Sequence, residues 1–284
     1  MKRKKIVLQN LLVTGYAAEG KALAKNEGKV IFIEGAVPGD VADVLLTKNK
    51  KDWAEGKATK IHTYSPERVA PFCMHFDICG GCKWQMLPYE KQLQYKQQEV
   101  KDVIKRIGKL TDVPVLPIIG SGKTTAYRNK LEFTFSNKKF LTPHELKSLG
   151  EDEWPGGAVG YHVPKLYDKI IDIHECWLMD DVNNVIRNTL REFAESNNYS
   201  YYDLKEHKGF LRNIVIRNCS TGELMVNLVF GNEDKKEIEK IANYLLQKVP
   251  TITTLLYTIN QKWNDTINDL QPQIFYGKGY VIES

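Results

Sequence analysis

The sequence predicts an α+β protein in which an N-terminal β-barrel is followed by a mixed α/β region. Three observations lead to this prediction. Short apolar segments separated by glycine-rich turns fill residues 6–62. A loop with three cysteines follows, and segments of strand-like and helix-like periodicity then alternate over residues 88–284. We therefore divide the sequence into residues 1–65, 66–87, 88–120 and 121–284.

The composition is that of an ordinary globular protein. The chain has 284 residues, of which 42% are hydrophobic and 26% charged, and this length allows two domains. No apolar run approaches the roughly 20 residues that a membrane-spanning helix requires. We expect a cytoplasmic protein with no membrane partner. The net charge of +5 is too small by itself to indicate a nucleic-acid ligand.

Residues 1–65 are predicted to form the barrel. Turn residues stand at positions 26–28 and 38–40, between runs such as KVIFIEG and DVADVLLTKN. Short strands at this spacing are typical of a small closed or nearly closed barrel. The stretches GYAAEGKALAKNEGKVIFIEGAVPGD and DVADVLLTKNKKDWAEGKATKI resemble a TRAM domain, which is an OB-like RNA-binding barrel.

Residues 66–87 contain a Cys-x5-Cys-x2-Cys motif formed by Cys73, Cys79 and Cys82. A cytoplasmic location and an odd total of five cysteines argue against a disulfide framework. Three thiolates need a fourth ligand, for which Cys176 is the candidate, whereas Cys219 lies in a turn. The spacing leaves open an iron–sulfur cluster, a zinc site or redox thiols, and its irregularity favours the cluster. His75 is interpreted as a bystander.

The cysteine motif PFCMHFDICGGCKWQ, the preceding barrel and the later YRNKLEFTF together resemble the RNA uracil-C5-methyltransferases, or RNA m5U methyltransferase family. The resemblance is greatest to members that modify 23S rRNA. It implies a 4Fe-4S cluster on Cys73, Cys79, Cys82 and Cys176. It also implies that the parent enzyme binds S-adenosylmethionine and forms 5-methyluridine.

Residues 88–120 are predicted to supply an amphipathic helix and a strand that, by the resemblance, belong with a methyltransferase domain. Residues 121–284 are predicted to form an α+β RNA-binding domain, with a sheet covered on one face. Its strands are read from KLEFTF, GAVGYHV, KIIDI, FLRNIVIR, ELMVNLVF and TTLLYTIN, and its helices from residues 180–197 and 235–248. Val182, Val185, Ile186, Leu190 and Phe193 are expected to face inward.

Three basic residues beside the predicted strands are candidate RNA contacts. Arg128 and Lys130 match the basic start of a strand in the family, and Arg212 lies in FLRNIVIR. Arginine suits bidentate phosphate contact and stacking on unpaired bases. The competing interpretation is that these are solvated strand positions or members of intrachain ion pairs.

No Gly-rich strand–loop–helix motif and no nucleophile motif of the family occur in the sequence. We therefore expect the RNA-recognition portion of a larger enzyme, truncated before its catalytic domain, with no catalytic residue of its own and no activity alone. S-adenosylmethionine would bind only in the full-length parent. The expected partner is a single-stranded or loop region of ribosomal RNA, with no DNA partner and a monomeric state. Two alternatives remain: a stand-alone RNA-binding iron–sulfur or zinc protein, and a tRNA-modifying member of the family.

Overall fold

The computed structural model describes residues 5–150 and 156–284, so the basic residues at positions 2–4 lie outside the described residues. The chain forms two compact units. The N-terminal unit comprises the chain up to Asp77 together with Cys82–Thr124, and the C-terminal unit comprises Ile78–Gly81 and Thr125–Ser284. Nothing in the sequence indicates that Ile78–Gly81 belongs with the later residues.

The N-terminal unit contains the predicted barrel, which is closed by five strands in the order β1-β2-β3-β5-β4. The strands are β1 (Val7–Tyr16), β2 (Ala22–Asn26), β3 (Lys29–Glu34), β4 (Val41–Asn49) and β5 (Trp53–Thr63). Only β3 and β5 pair in parallel. Alternate residues point inward, because side chains alternate along a strand, and small and branched side chains fill the interior.

Glycine is required at the turn between β2 and β3. Asn26 pairs with Lys29, so only Glu27 and Gly28 form the loop. Their φ angles are 48° and 79°, and a two-residue hairpin turn with two positive φ angles matches the twist of the strands.

A buried carboxylate holds the Val-Pro-Gly-Asp turn before β4. Asp40 is fully buried, and it accepts hydrogen bonds from the backbone N–H groups of Val37 (2.7 Å) and Ser65 (2.9 Å). The guanidinium of Arg68 lies across both carboxylate oxygens, with Nε 2.9 Å from Oδ1 and Nη2 2.7 Å from Oδ2. Asp40 therefore anchors the chain that leaves the barrel.

Helix α1 (Tyr89–Asp102) follows the cysteine loop and continues into a π-helical turn, Val103–Ile107, which Gly108 ends. The predicted apolar stripe is present, but its members Val100, Val103 and Ile107 are 48%, 45% and 77% exposed. The helix is tied to the N-terminal unit through Glu67, which bonds Tyr95 and Lys91.

The strand predicted within residues 88–120 is wrong, since residues 108–120 contain none. Pro114 and Pro117 lack the N–H that a strand ladder needs. The segment instead runs back along α1, where its backbone is held by the side chains of Gln97, which donates to the Leu116 carbonyl, and Tyr89, which accepts from Ser121 N–H.

The C-terminal unit is built on a seven-stranded sheet with the order β12-β11-β10-β9-β6-β7-β8. Its strands are β6 (Lys130–Ser136), β7 (Ala158–Val163), β8 (Leu166–Asp172), β9 (Leu211–Asn218), β10 (Leu224–Phe230), β11 (Thr254–Ile259) and β12 (Gln273–Tyr276). All neighbours are antiparallel except β10 and β11, which α4 connects. The mixed α+β class is as predicted.

The described residues of this unit also form three helices: α2 (Pro143–Ser148), α3 (Val182–Ser196) and α4 (Lys235–Lys248). Helix α4 has the predicted bounds. The inner face of α3 differs from the prediction, because Val185 is 43% exposed while Arg187 and Arg191 are buried. These two guanidinium groups bond to the Ile173 carbonyl, which gives them polar partners inside the fold.

The two faces of the sheet differ in chemistry. One face is apolar and includes Phe133 and Ile214, and α3 lies against it, since the Arg187 guanidinium is 4.7 Å from the Phe133 ring. On the other face, Asn213 donates to Thr134. Residues 211–216 of β9 are all buried, so both faces of this strand are shielded and the expectation of a sheet covered on one face is wrong.

Among the described helices, none combines the length and the apolar character needed to cross a membrane.

Candidate functional site

The polar face of the sheet brings two basic side chains together at one end. Lys130 at the start of β6 is directly opposite Arg217 on β9, and both are exposed. Like charges in this relation destabilise a sheet. Glu132 offsets part of the repulsion, with an oxygen 3.6 Å from Lys130 Nζ. This pair gives the polar face a local positive charge.

Arg128 lies two residues before β6, and its backbone N–H donates to the Leu178 carbonyl at 2.7 Å. The side chain is exposed. Within residues 5–150 and 156–284, no hydrogen bond, ion pair or ring contact engages its guanidinium. The backbone is thus fixed while the charged group is available to a ligand.

The structure places Arg212 differently from the prediction. Its side chain is 1% exposed, and the guanidinium lies 3.9 Å from the Tyr202 ring centroid. It donates to the carbonyls of Asn260 (2.6 Å), Lys262 (2.8 Å) and Asn264 (3.1 Å) and to the carboxylate of Asp265 (2.7 Å). Its Nη1 and Nη2 groups donate to residues 260–265, and Nε is buried without a hydrogen-bond partner among the described residues, so Arg212 positions a loop. The exposed arginine of the same strand, Arg217, is the better candidate for ligand contact.

The predicted cysteine ligands are divided between the two units. Cys73 and Cys82 belong to the N-terminal unit, while Cys79 and Cys176 belong to the C-terminal unit. All five cysteines lie in the described ranges, and none forms a disulfide. The loop glycine Gly80 has φ +72°, and a Cβ there would lie 2.2 Å from Pro164, so the loop approaches the β7–β8 turn closely.

Cys176 is buried beside Tyr161, with Sγ 3.8 Å from the phenol oxygen. Burial raises the pKa of Tyr161 well above its usual range, and the thiol groups of Cys176 and Cys79 raise it further. The phenol therefore stays protonated and can donate to sulfur. The backbone N–H of Cys176 donates to Asn184 Oδ1 at 2.8 Å. Because Asn184 lies in the first turn of α3, this bond holds Cys176 against the N-terminus of that helix.

Arg187 brings a buried positive charge close to Cys176. It is 0% exposed and donates to neutral acceptors only: the Ile173 carbonyl, Asn183 and Asn184, whose Oδ1 also accepts from Cys176. No carboxylate in the described part of the chain is within ion-pair distance of it. Burial, followed by the charge of Arg191, lowers the pKa of Arg187 to about 10, so the group remains cationic at neutral pH.

The structure gives no direct support for a bound metal. Among the described residues, no group of three or more His, Cys, Asp or Glu side chains is arranged to hold a metal ion. A tetrahedral zinc ion would hold its thiolates about 3.8 Å apart, as zinc–sulfur bonds of about 2.3 Å require. The arrangement of the described residues therefore favours neither a zinc ion nor an iron–sulfur cluster at these cysteines. A cubane cluster binds each thiolate to a different iron and holds the sulfurs farther apart.

Cys219 has the opposite environment to that of a nucleophile. Its pKa is raised by burial and by the adjacent carboxylate of Glu283, whereas reactive thiols have lowered pKa values. We assign it no catalytic role.

Comparison with known proteins identifies the barrel. Residues 7–59 match the TRAM domain family. This match covers the five strands nearly completely and confirms the resemblance seen in the sequence.

The whole chain is similar to proteins named as RNA methyltransferases. It is 48% identical over 271 residues to one from Bacteroides thetaiotaomicron and 42% identical over 275 residues to one from Porphyromonas gingivalis, both called uncharacterized RNA methyltransferases. These alignments cover 94% and 95% of the chain. The chain spans 59% of the length of each of these proteins.

A solved structure shares the fold over both units. It is a Pyrococcus abyssi tRNA (uracil-54, C5)-methyltransferase in complex with S-adenosyl-L-homocysteine, with a TM-score of 0.63 and 24% sequence identity. The match covers 96% of this chain and 57% of that protein.

Proposed function

We propose that residues 5–284 recognise RNA as part of an S-adenosylmethionine-dependent RNA uracil-C5-methyltransferase. The observation that carries the proposal is the TRAM match at residues 7–59 within a chain 48% identical to a protein named as an RNA methyltransferase. Arg128 and the Lys130–Arg217 pair support it, because they present positive charge that the described part of the chain does not neutralise completely. Methyl transfer belongs to the proposed parent activity, and no catalytic residue is assigned among these residues.

The proposed substrate is a single-stranded or loop region of ribosomal RNA. A tRNA substrate is a specific alternative, because the solved structure with this fold is named as a tRNA (uracil-54, C5)-methyltransferase. Bases in loops can be splayed out and read at their edges, which an A-form helix does not allow. Either substrate fits the arginine and lysine side chains on the polar face of the sheet.

We also propose that Cys73, Cys79, Cys82 and Cys176 hold a 4Fe-4S cluster. Two features of the C-terminal unit support it: Tyr161 is close to both Cys79 and Cys176, and Arg187 is buried near Cys176 with no carboxylate of the described residues within ion-pair distance. Cys82 follows Cys79 by three residues, so the chain keeps these two within about 11 Å. Thiolates and a cluster of negative net charge would balance the guanidinium. The cluster would act as a structural cross-link.

RNA binding tests the first proposal. The chain should bind unstructured rRNA fragments with an affinity that falls with salt, at a slope of about 0.7 per phosphate contact in log–log form. Arg128→Ala should weaken binding more than Lys50→Ala in the exposed β4–β5 loop, since a guanidinium can stack and bridge phosphates while a loop ammonium is largely screened. Equal losses would reduce Arg128 to one charge among many. Tighter binding to a tRNA transcript would select the alternative substrate.

Metal analysis tests the second proposal. Anaerobically purified protein should contain iron and acid-labile sulfide in near-equal amounts. Cys176→Ser should release both, and the matched control Cys219→Ser should retain them. Zinc without sulfide would overturn the cluster, and loss in the Cys219 variant alone would overturn the choice of the fourth ligand.

A further inference from the structure

An open groove in the C-terminal unit has the features of a nucleotide site. Its volume is about 910 Å³, and it is lined by the β7–β8 turn, by residues of the 204–207 turn and by residues 263–265. Two large aromatic side chains in this lining face solvent: Trp263 is 79% exposed and Tyr167 is 70% exposed. Exposed aromatic residues at one site are a known means of binding unpaired bases.

Trp263 is held as a flat platform. Its ring lies parallel to that of His207, with an interplanar angle of 5° and centroids 4.9 Å apart. His207 is half-buried and covers one face of the indole. Since His207 covers one face and Trp263 is 79% exposed, the other face is accessible to solvent, which is the arrangement needed to stack one base.

The loop that carries Trp263 is ordered in advance. The buried guanidinium of Arg212 binds three of its carbonyls and the Asp265 carboxylate. Asn260 adds two hydrogen bonds, by donating to the Asn264 carbonyl and accepting from Lys262 N–H. A ligand therefore meets a fixed surface, and little ordering entropy opposes its binding.

The opposite turn is fixed in a similar way. Asp203 is 6% exposed, and it accepts from the backbone N–H groups of Lys205 (2.9 Å) and Glu206 (3.1 Å). Lys205 lines the groove together with Lys165. The acidic residue that lines the groove, Asp265, is paired with Arg212, and Lys205 forms an ion pair with Asp168, which lies outside the lining.

We propose that this groove binds an unpaired nucleotide of RNA, with its base stacked on Trp263 and its phosphate near Lys165 and Lys205. The proposal rests on the proposed RNA-binding function and adds a contact separate from Arg128. An open indole face beside lysine side chains fits a base joined to a phosphate. The volume of the groove is large enough to hold a single nucleotide.

Fluorine NMR on protein labelled with 5-fluorotryptophan tests the proposal. The Trp263 resonance is assigned by its loss in Trp263→Phe, and the labelled chain is titrated with a short single-stranded oligoribonucleotide or the same sequence as a duplex. The single strand should shift the Trp263 resonance and the duplex should not. Trp263→Ala should weaken binding by about 5-fold to 100-fold, while Trp263→Phe retains most of it and Tyr276→Ala, a change of an exposed aromatic on β12, has no effect.

The outcomes separate this proposal from the proposed function. The wild-type chain could bind RNA in a salt-sensitive way and the Trp263→Ala variant could bind it equally well. That result would refute nucleotide binding in the groove but not RNA recognition by the chain. An oligonucleotide with one abasic residue at the stacked position should bind the wild-type chain more weakly than the intact oligonucleotide does. The Trp263→Ala variant should bind the two oligonucleotides with equal affinity. If the abasic residue weakens binding to both proteins by the same factor, the proposed stacking on Trp263 is wrong. No binding by the wild-type chain would overturn the function and the groove together. A shift caused by a proline-rich peptide and not by RNA would assign the groove to a protein partner instead.

Discussion

Replacing Asp40 by asparagine tests what holds the end of the barrel. Each carboxylate oxygen of Asp40 accepts one backbone N–H and at least one guanidinium N–H of Arg68. Asparagine has the same shape but offers a single oxygen beside an NH2 group. Whichever oxygen is replaced, one backbone N–H and one guanidinium N–H lose their acceptor and face the NH2 group of the asparagine instead.

The expected cost follows from these contacts. An unpaired buried backbone N–H costs about 1–3 kcal/mol. The lost charge pair adds about 1 kcal/mol, because the Arg68 side chain is 19% exposed and can turn toward water. We expect Asp40→Asn to lower the free energy of unfolding of the barrel by about 3 kcal/mol, which corresponds to a factor of about 150 in the folding equilibrium.

Hydrogen exchange measured by mass spectrometry resolves this effect, because it reports the stability of each region separately. Amides of β1–β5 should lose protection by about two orders of magnitude, and those of β9 and β10 should not change. The control is Asp77→Asn, since Asp77 forms an exposed 3.7 Å pair with Lys57 that contributes little. A barrel effect below about fivefold, or one equal to that of the control, would refute the reasoning.

Two further predictions concern the C-terminal unit. Burial acts to raise the pKa of Asp203, but hydrogen bonds from Asn137 and the 205–206 amides outweigh it and hold the pKa well below its usual range. Its stabilisation is complete above the unfolded-state pKa of about 3.9 and is lost as pH falls toward the folded-state pKa, so urea unfolding of Asp203→Asn should show a flatter decline below about pH 4. Gly80→Ala should lower the iron content several-fold, because the added Cβ would lie 2.2 Å from Pro164. The control Gly122→Ala should retain iron, because a Cβ there meets nothing within 4 Å. Equal iron content in the two variants would refute this prediction.

Periodicity predicted the fold where a segment has one buried and one exposed face. The bounds of α4 and the alternation of β2 and β3 follow from this rule. It failed for β9, since every residue from 211 to 216 is buried and alternation no longer marks an exposed face. Arg212 was therefore predicted to face a ligand although it is buried. Strand β12 was not predicted, because QIFY is four residues long and carries no periodic signal.

The candidate site could be predicted only in part, for a related reason. The cysteine spacing and the basic residues before β6 are local in sequence and are visible in it. Trp263 and His207 are 56 residues apart and meet only through loops that Arg212 and Asp203 fix. Buried charges that organise loops leave no local pattern, so the groove required the structure.

The assignment of Ile78–Gly81 to the C-terminal unit affects how the protein can be made in the cell. The residues that this segment packs against, such as Pro164, emerge from the ribosome roughly 80 residues later, which takes about 4–16 s at ordinary rates of synthesis. During that interval the part of the fold against which this loop packs has not been made, so the glycine-rich loop and its cysteine remain unpacked. On the proposed ligand set, iron and sulfide can be captured by all four cysteines only after Cys176 has been added, so cluster insertion is a late event on the ribosome or one that follows release.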